Sequence, residues 1–339
     1  VRPGVLLVNL GTPQAPTAAA VRPYLRQFLT DPRVLDVAAP LRAFLGGFLI
    51  PTVRSSASAA AYASIWTEAG SPLLVYSRAL AEALAEELAP HPVALGMRYG
   101  EPSIEQAFEA LAGCDPLVVV PLYPQYASSS TGTALEVVYR LAAARWNTPS
   151  LVVVPPFHSA PAFVDAQAEL VRQELADFAP DHVLFSYHGL PERHVRKSDP
   201  TGAHCLARAD CCDRLVDANR ACYRAQCFAT TRALVARLSL GDVPTSVAFQ
   251  SRLGRDPWIR PFTDEVVDGL ARDGVRRLLV ACPSFTADCL ETLEEIGGEA
   301  ARSFREHGGE ELRLVPCVNA SPTWVRGLAE LVREALPRS

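Results

Sequence analysis

Short apolar runs closed by glycine or proline recur along this chain, with stretches of helical spacing between them. Residues 4–10 form a continuous apolar run that ends at Gly11-Thr12-Pro13. Residues 17–29 carry Val21, Leu25, Phe28 and Leu29 on one helical face. Further on, the pattern predicts helices over 77–88 and 103–111, and strands over 92–99, 116–122 and 151–154. That alternation is the signature of a parallel, doubly wound sheet. After Pro156 it restarts. Helices are expected over 163–178, up to about Leu238, 265–271, 287–307 and 322–336; strands are expected over 183–186, 245–250, 277–281 and 312–316. Two similar halves follow, over 1–155 and 156–320, with a terminal helix over 321–339. No Gly/Ser linker separates them, so a rigid cleft between the halves is expected.

One segment breaks the rhythm. Residues 34–53 are rich in Leu, Phe, Gly and Pro, and 43–53 carry no charge. That stretch is too short to span a bilayer. It reads either as a core helix with a loop or as an exposed apolar lip that meets a membrane or a large flat ligand.

Composition narrows the classes. A chain of 339 residues, 49% hydrophobic and 20% charged, affords two domains with substantial cores and argues against disorder. A net charge of −5 without a basic block argues against general nucleic-acid binding. No apolar run is long enough for a membrane-spanning helix. Val1-Arg2-Pro3-Gly4 leads straight into a strand, without the pattern of a signal peptide. A cytoplasmic location with reduced thiols is therefore expected. Nine cysteines then read as ligands or buried apolar groups rather than disulfides.

Three features carry candidate chemistry. His188, in Phe185-Ser186-Tyr187-His188-Gly189-Leu190-Pro191, falls where a buried strand must end, and ligands bind at the carboxyl ends of strands in open α/β sheets. Asp288, Glu291 and Glu295, spaced i, i+3 and i+7 after another strand end, would share one face of an α-helix. A histidine facing carboxylates can bind a divalent ion or accept protons. The third feature is Cys205-x5-Cys211-Cys212-x9-Cys222-x4-Cys227. Zinc sites favour paired C-x2-C knuckles, which are absent, although His204 could add a ligand. An iron–sulfur cluster takes four cysteines with looser spacing. Five thiols for four places leave one spare, from the adjacent pair Cys211 and Cys212. The hydroxyl run Ser128-Ser129-Ser130-Thr131-Gly132 reads as a capping loop or an anion site at a helix start.

Five stretches together resemble the ferrochelatase family, in its order and from Val5 to about Leu336. They are Val8-Asn9-Leu10-Gly11-Thr12-Pro13, Pro121-Leu122-Tyr123-Pro124-Gln125-Tyr126, Ser186-Tyr187-His188-Gly189-Leu190-Pro191, Phe249-Gln250-Ser251-Arg252 and Asp288-Cys289-Leu290-Glu291-Thr292-Leu293. The resemblance implies an α/β fold of two Rossmann-like, chelatase-type domains with a porphyrin cleft between them. It implies insertion of Fe2+ into protoporphyrin IX, the last step of haem synthesis. Insertion into coproporphyrin III and a non-catalytic haem- or iron-binding Fe–S sensor are the alternatives. His188 and Glu291 match the family's metal-handling pair across the cleft, and Asp288 and Glu295 the acidic row leading away. Arg54, Tyr62, Ser71, Tyr123 and Trp258 match porphyrin-contacting positions. Segment 34–53 matches the pocket lip, with possible peripheral membrane contact.

Two departures stand out. The family's C-terminal cysteine triad is absent, and Ser128 stands where its partner cysteine would be. The cysteine insertion, about 199–227, instead resembles a bacterial subset with an internal 2Fe–2S cluster, which implies Cys205, Cys212, Cys222 and Cys227 as ligands with Cys211 as alternate. Cys289 stands where animal relatives carry histidine. Cys114, Cys282 and Cys317 read as buried structural thiols.

Overall fold

The structure, a computed structural model, describes residues 2–254 and 256–336. Expectations that touch the chain start or residues 337–339 lie outside the described residues. The chain divides into two units. The first holds the chain up to Tyr123, Ser128–Pro156 and the stretch from Trp324; the second holds Pro124–Ala127 and Phe157–Thr323. The terminal helix, Pro322–Ala335, thus falls mostly to the first unit, where Arg333 pairs with Glu87 at 3.0 Å.

In the first unit, β1 (Gly4–Gly11), β2 (Val93–Tyr99), β3 (Leu117–Pro121) and β4 (Leu151–Val153) form a parallel sheet in the order β2-β1-β3-β4. Val5, Leu6, Leu7 and Val8 are fully buried, as a parallel strand covered on both faces requires. Two family-motif residues secure this unit. Asn9 Nδ2 donates to Ser77 Oγ at 3.0 Å, and Thr12 Oγ1 to Ser71 Oγ at 2.8 Å. Both acceptors belong to the helix Pro72–Glu87 or its cap. That helix starts earlier than its apolar spacing suggests because Pro72 sets the first helical φ.

The second unit repeats the topology. Strands β5 (His182–His188), β6 (Thr245–Gln250), β7 (Arg277–Ala281) and β8 (Glu311–Leu314) run parallel in the order β6-β5-β7-β8. Strand β5 alternates between two cores. Val183, Phe185 and Tyr187 pack with the five clustered cysteines and the helix Tyr223–Arg237, while Leu184 packs with Val267, Ile296 and Phe304 on the other face. Its neighbours β6 and β7 lie on opposite sides, so the carboxyl end of β5 is a topological switch point.

Two expectations change. Residues 39–65 form successive helices, Ala39–Phe44, Leu45–Leu49 and Ile50–Ile65, the middle one π-helical. They pack through small residues. A Cβ on Gly46 would lie 2.2 Å from the Leu29 carbonyl oxygen, and Ser55 and Ala59 are buried. The large side chains are left outside, with Phe48 60% and Val53 69% exposed and Phe44 and Leu41 beside them. The core-helix reading fails here, because the large apolar side chains are exposed. Secondly, the expected long helix over 287–307 is a π-helix, Glu291–Ala300, continued by a short α-helix, Ala301–Glu306. The hydroxyl run Ser128–Gly132 is also π-helical and runs directly into the helix Thr133–Ala143.

Candidate active site

His188 closes β5, opposite Gln250 of β6. Gly189 N–H donates to the Gln250 carbonyl at 2.7 Å, and a Cβ on Gly189 would sit 2.7 Å from that oxygen and 3.2 Å from the Trp258 ring. Glycine is therefore required for the strand end to turn against β6. The His188 Nδ1 lies 2.6 Å from the Gly189 carbonyl oxygen. A carbonyl only accepts, so Nδ1 carries the proton, and in the neutral imidazole the lone pair is then on Nε2. The His188 backbone N–H donates to Ser284 Oγ at 3.1 Å, and its ring meets Phe285 edge to face.

The acidic row is split in use. Asp288 is buried, and both its oxygens are occupied. Oδ1 accepts from Cys317 N–H and Thr292 Oγ1, each at 3.2 Å, and Oδ2 from Asn319 Nδ2 at 2.8 Å. It fixes the entry to the π-helix rather than offering an open carboxylate. The i, i+3, i+7 spacing placed it in the row only by assuming an α-helix that starts earlier. Glu295 is held by β6. Ser251 N–H and Oγ–H donate to it at 2.7 and 2.5 Å, and Gln250 Nε2 reaches it at 3.3 Å. The same Gln250 amide donates to the Glu291 carbonyl at 2.7 Å. Ser251 adopts φ 65°, a conformation uncommon for a non-glycine residue and found at constrained sites. Burial pushes Glu295 above the ordinary carboxylate range; Glu291 adds to the rise, while Ser251 and His188 oppose it. Glu295 thus senses both His188 and Glu291. All of these belong to the second unit, so the matched pair shares one sheet end.

The porphyrin-matched positions divide between units. In the first, Arg54 is exposed, Tyr62 is buried against Tyr24 and Trp66, and Ser71 accepts from Thr12. Tyr123 is half-buried, but its hydroxyl is buried and has no hydrogen-bond partner among the described residues, and burial pushes that hydroxyl far up. In the second, Trp258 Nε1 donates to the Leu253 carbonyl at 2.9 Å. Motif residue Gln125 donates to Thr230 Oγ1 and to the Pro283 carbonyl at 2.9 and 3.1 Å.

Sequence reading missed a buried network in the first unit. Asp31 Oδ2 accepts from Arg98 at 2.5 Å, Tyr99 at 3.0 Å and Thr133 at 2.5 Å. The available signal was a lone arginine inside the apolar run of β2. Gln250 and Ser251 were visible only as motif letters.

The cysteine insertion is a loop between the short helix Glu192–Lys197 and the helix Tyr223–Arg237. Asp199 organises it. Its carboxylate accepts from His204 N–H, Cys205 N–H and both the N–H and hydroxyl of Thr201, which hold it well below the usual carboxylate range. All five thiols are buried. Cys211 and Cys212 sulfurs lie 3.7 Å apart, and Cys222 is close enough to influence the titration of both Cys205 and Cys212. Cys227 lies deeper, with Tyr223 acting on its thiol. Among the described residues, no three His, Cys, Asp or Glu side chains converge on a single ion position. The thiols meet in pairs instead.

The repeated four-stranded parallel sheet is a fold found in solved metal chelatases. SirB from Bacillus subtilis, solved with Fe3+, shares this fold with a TM-score of 0.56 over 99% of this chain and 96% of that one, at 14% identity. The ferrochelatase family model matches residues 2–336. A ferrochelatase of Coxiella burnetii (strain Dugway 5J108-111) is 47% identical over 98% of this chain and 94% of its own length. One of Azotobacter vinelandii is 49% identical over 97% and 98%. The chain belongs to the ferrochelatase family and is a metal chelatase enzyme.

Proposed function

We propose that this enzyme inserts Fe2+ into protoporphyrin IX to form protohaem, at the site built by His188, Glu291 and Glu295. The carrying observation is the pairing of a His188 ring with a free Nε2 lone pair and a Glu295 carboxyl held by Gln250 and Ser251. Metal entry must expel two pyrrole N–H protons, which requires a base within reach. The arriving ion must also exchange water for protein donors, and imidazole and carboxylate both suit ferrous iron. His188 Nε2 supplies the neutral donor, and the acidic row carries charge away from it. Asp288 serves as a positioning residue. The exposed lip at Phe44, Phe48 and Val53 offers apolar surface to a membrane. Among the described residues no helix is long and apolar enough to cross a membrane.

The thiol chemistry fits a 2Fe–2S cluster, which needs two thiolates at each iron. Cys211 and Cys212 are in sulfur contact, Cys222 acts on both Cys205 and Cys212, and among the described residues no carboxylate hydrogen-bonds to these sulfurs. Those contacts favour Cys211 over Cys227 as the fourth ligand. Bound there, the cluster would cross-link the insertion. Side-by-side turnover with protoporphyrin IX and coproporphyrin III tests the substrate: faster iron insertion into coproporphyrin overturns that choice. Porphyrin binding without any turnover would favour a sensor instead.

A further inference from the structure

The helix Tyr223–Arg237 presents two arginines to one cysteine. Arg224 Nη1 lies 3.0 Å from the Cys212 sulfur, and Arg232 Nη1 donates to the Cys212 carbonyl at 3.0 Å. Arg224 is unlike the surface arginines nearby. Arg252 and Arg260 each pair with carboxylates of the helix Thr263–Arg272, whereas no carboxylate pairs with Arg224 among the described residues. Its Nε is buried without an acceptor, and Nη2 reaches only the Arg260 carbonyl at 3.3 Å. Its plane is fixed over Phe228 at 4.8 Å, with Phe249 at 6.0 Å.

A guanidinium that is partly desolvated and lacks an anion is costly. A neutral thiol is a weak acceptor and does not compensate the charge. An iron-bound thiolate does. We infer that Arg224 is the charge partner of the cluster, donating an N–H···S hydrogen bond to Cys212 and holding the cluster's reduction potential up. The inference rests on Cys205, Cys211, Cys212 and Cys222 being cluster ligands. Reduction adds one electron and one negative charge to the iron–sulfur unit, with no ligand bond broken. A fixed cation and an N–H donor at a ligand sulfur stabilise that more negative form. Arg232 acts on the backbone of Cys212 and keeps the sulfur in place.

The experiment compares full-length wild type, Arg224→Lys and Arg224→Met. Iron and acid-labile sulfide per chain are measured first, then the cluster's visible absorption during titration with dithionite in the presence of mediator dyes. In Arg224→Met the reduced-to-oxidised ratio at a fixed ambient potential should fall at least about tenfold, equivalent to 59 mV for one electron. Arg224→Lys should stay near wild type. Loss of the cluster from Arg224→Met with retention in Arg224→Lys also supports the charge role. An unchanged midpoint in a fully loaded Arg224→Met overturns it, as does equal cluster loss from both variants. Wild type lacking iron and sulfide refutes the cluster reading itself, and this inference with it.

Discussion

Replacing Gly189 by alanine tests whether the strand-end geometry positions the chemistry. The new Cβ would lie 2.7 Å from the Gln250 carbonyl oxygen, backbone that cannot swing aside, and 3.2 Å from the Trp258 ring. Relief requires β5 and β6 to separate at His188 and Gln250, which stretches the Gly189–Gln250 hydrogen bond of 2.7 Å. Overpacking of this kind costs about 1–3 kcal/mol. For domains of this size each kcal/mol lowers Tm by roughly 2–4 °C. Activity should suffer more than stability. Gln250 and Ser251 move with the strand, and they hold Glu295 and the start of the π-helix. A misplacement of about 1 Å costs on the order of 100-fold in rate. Gly269→Ala is the matched control: its Cβ meets nothing within 4 Å, so it should be neutral or stabilising by about 0.4–1 kcal/mol. Thermal unfolding and steady-state iron insertion are read on both. Gly189→Ala with wild-type Tm and turnover would refute the argument.

Ser251→Ala removes a hydroxyl that favours the Glu295 carboxylate, so Glu295 rises further and the acidic limb of activity against pH should move to higher pH; an unmoved profile contradicts the assignment. Stability follows the same linkage. Glu295 is raised on folding, so its contribution is full below the ordinary glutamate value and is lost as pH rises through the raised value. Glu295→Gln should flatten that part of the stability–pH curve, read by chemical denaturation at several pH values. Asp199→Asn removes acceptors from the Cys205 loop, and cluster iron per chain should fall well below wild type. Among single Cys→Ser variants, Cys227→Ser should keep the visible spectrum, while Cys205→Ser, Cys211→Ser and Cys222→Ser should lose it.

The sheets were legible because β1 and β5 are buried on both faces and so carry apolar runs, Val5–Val8 and Val183–Phe185, without polar alternation. His188 was legible because a polar residue followed by Gly189 and Pro191 marks a strand end. The lip was ambiguous, since 43–53 is equally apolar whether buried or exposed; only the approach of Gly46 to Leu29 decides which residues face out. Asp288 is placed outside the helix that its spacing assumes. Regular i, i+3 spacing assumes an α-helix, and the π-helix begins after it at Glu291. The role of Ser251 depends on its positive φ, and that of Arg224 on a contact between a loop and a helix. Neither leaves a trace in spacing.

The most direct test is anaerobic iron insertion measured for wild type, His188→Ala and Glu291→Gln, with protoporphyrin IX and coproporphyrin III in parallel. Wild type should metallate protoporphyrin faster. His188→Ala should lose at least about 100-fold in kcat, the scale of removing a group that accepts protons or holds the ion at the reacting centre, while still binding porphyrin. Near-wild-type turnover in His188→Ala, or a preference for coproporphyrin, would contradict the account.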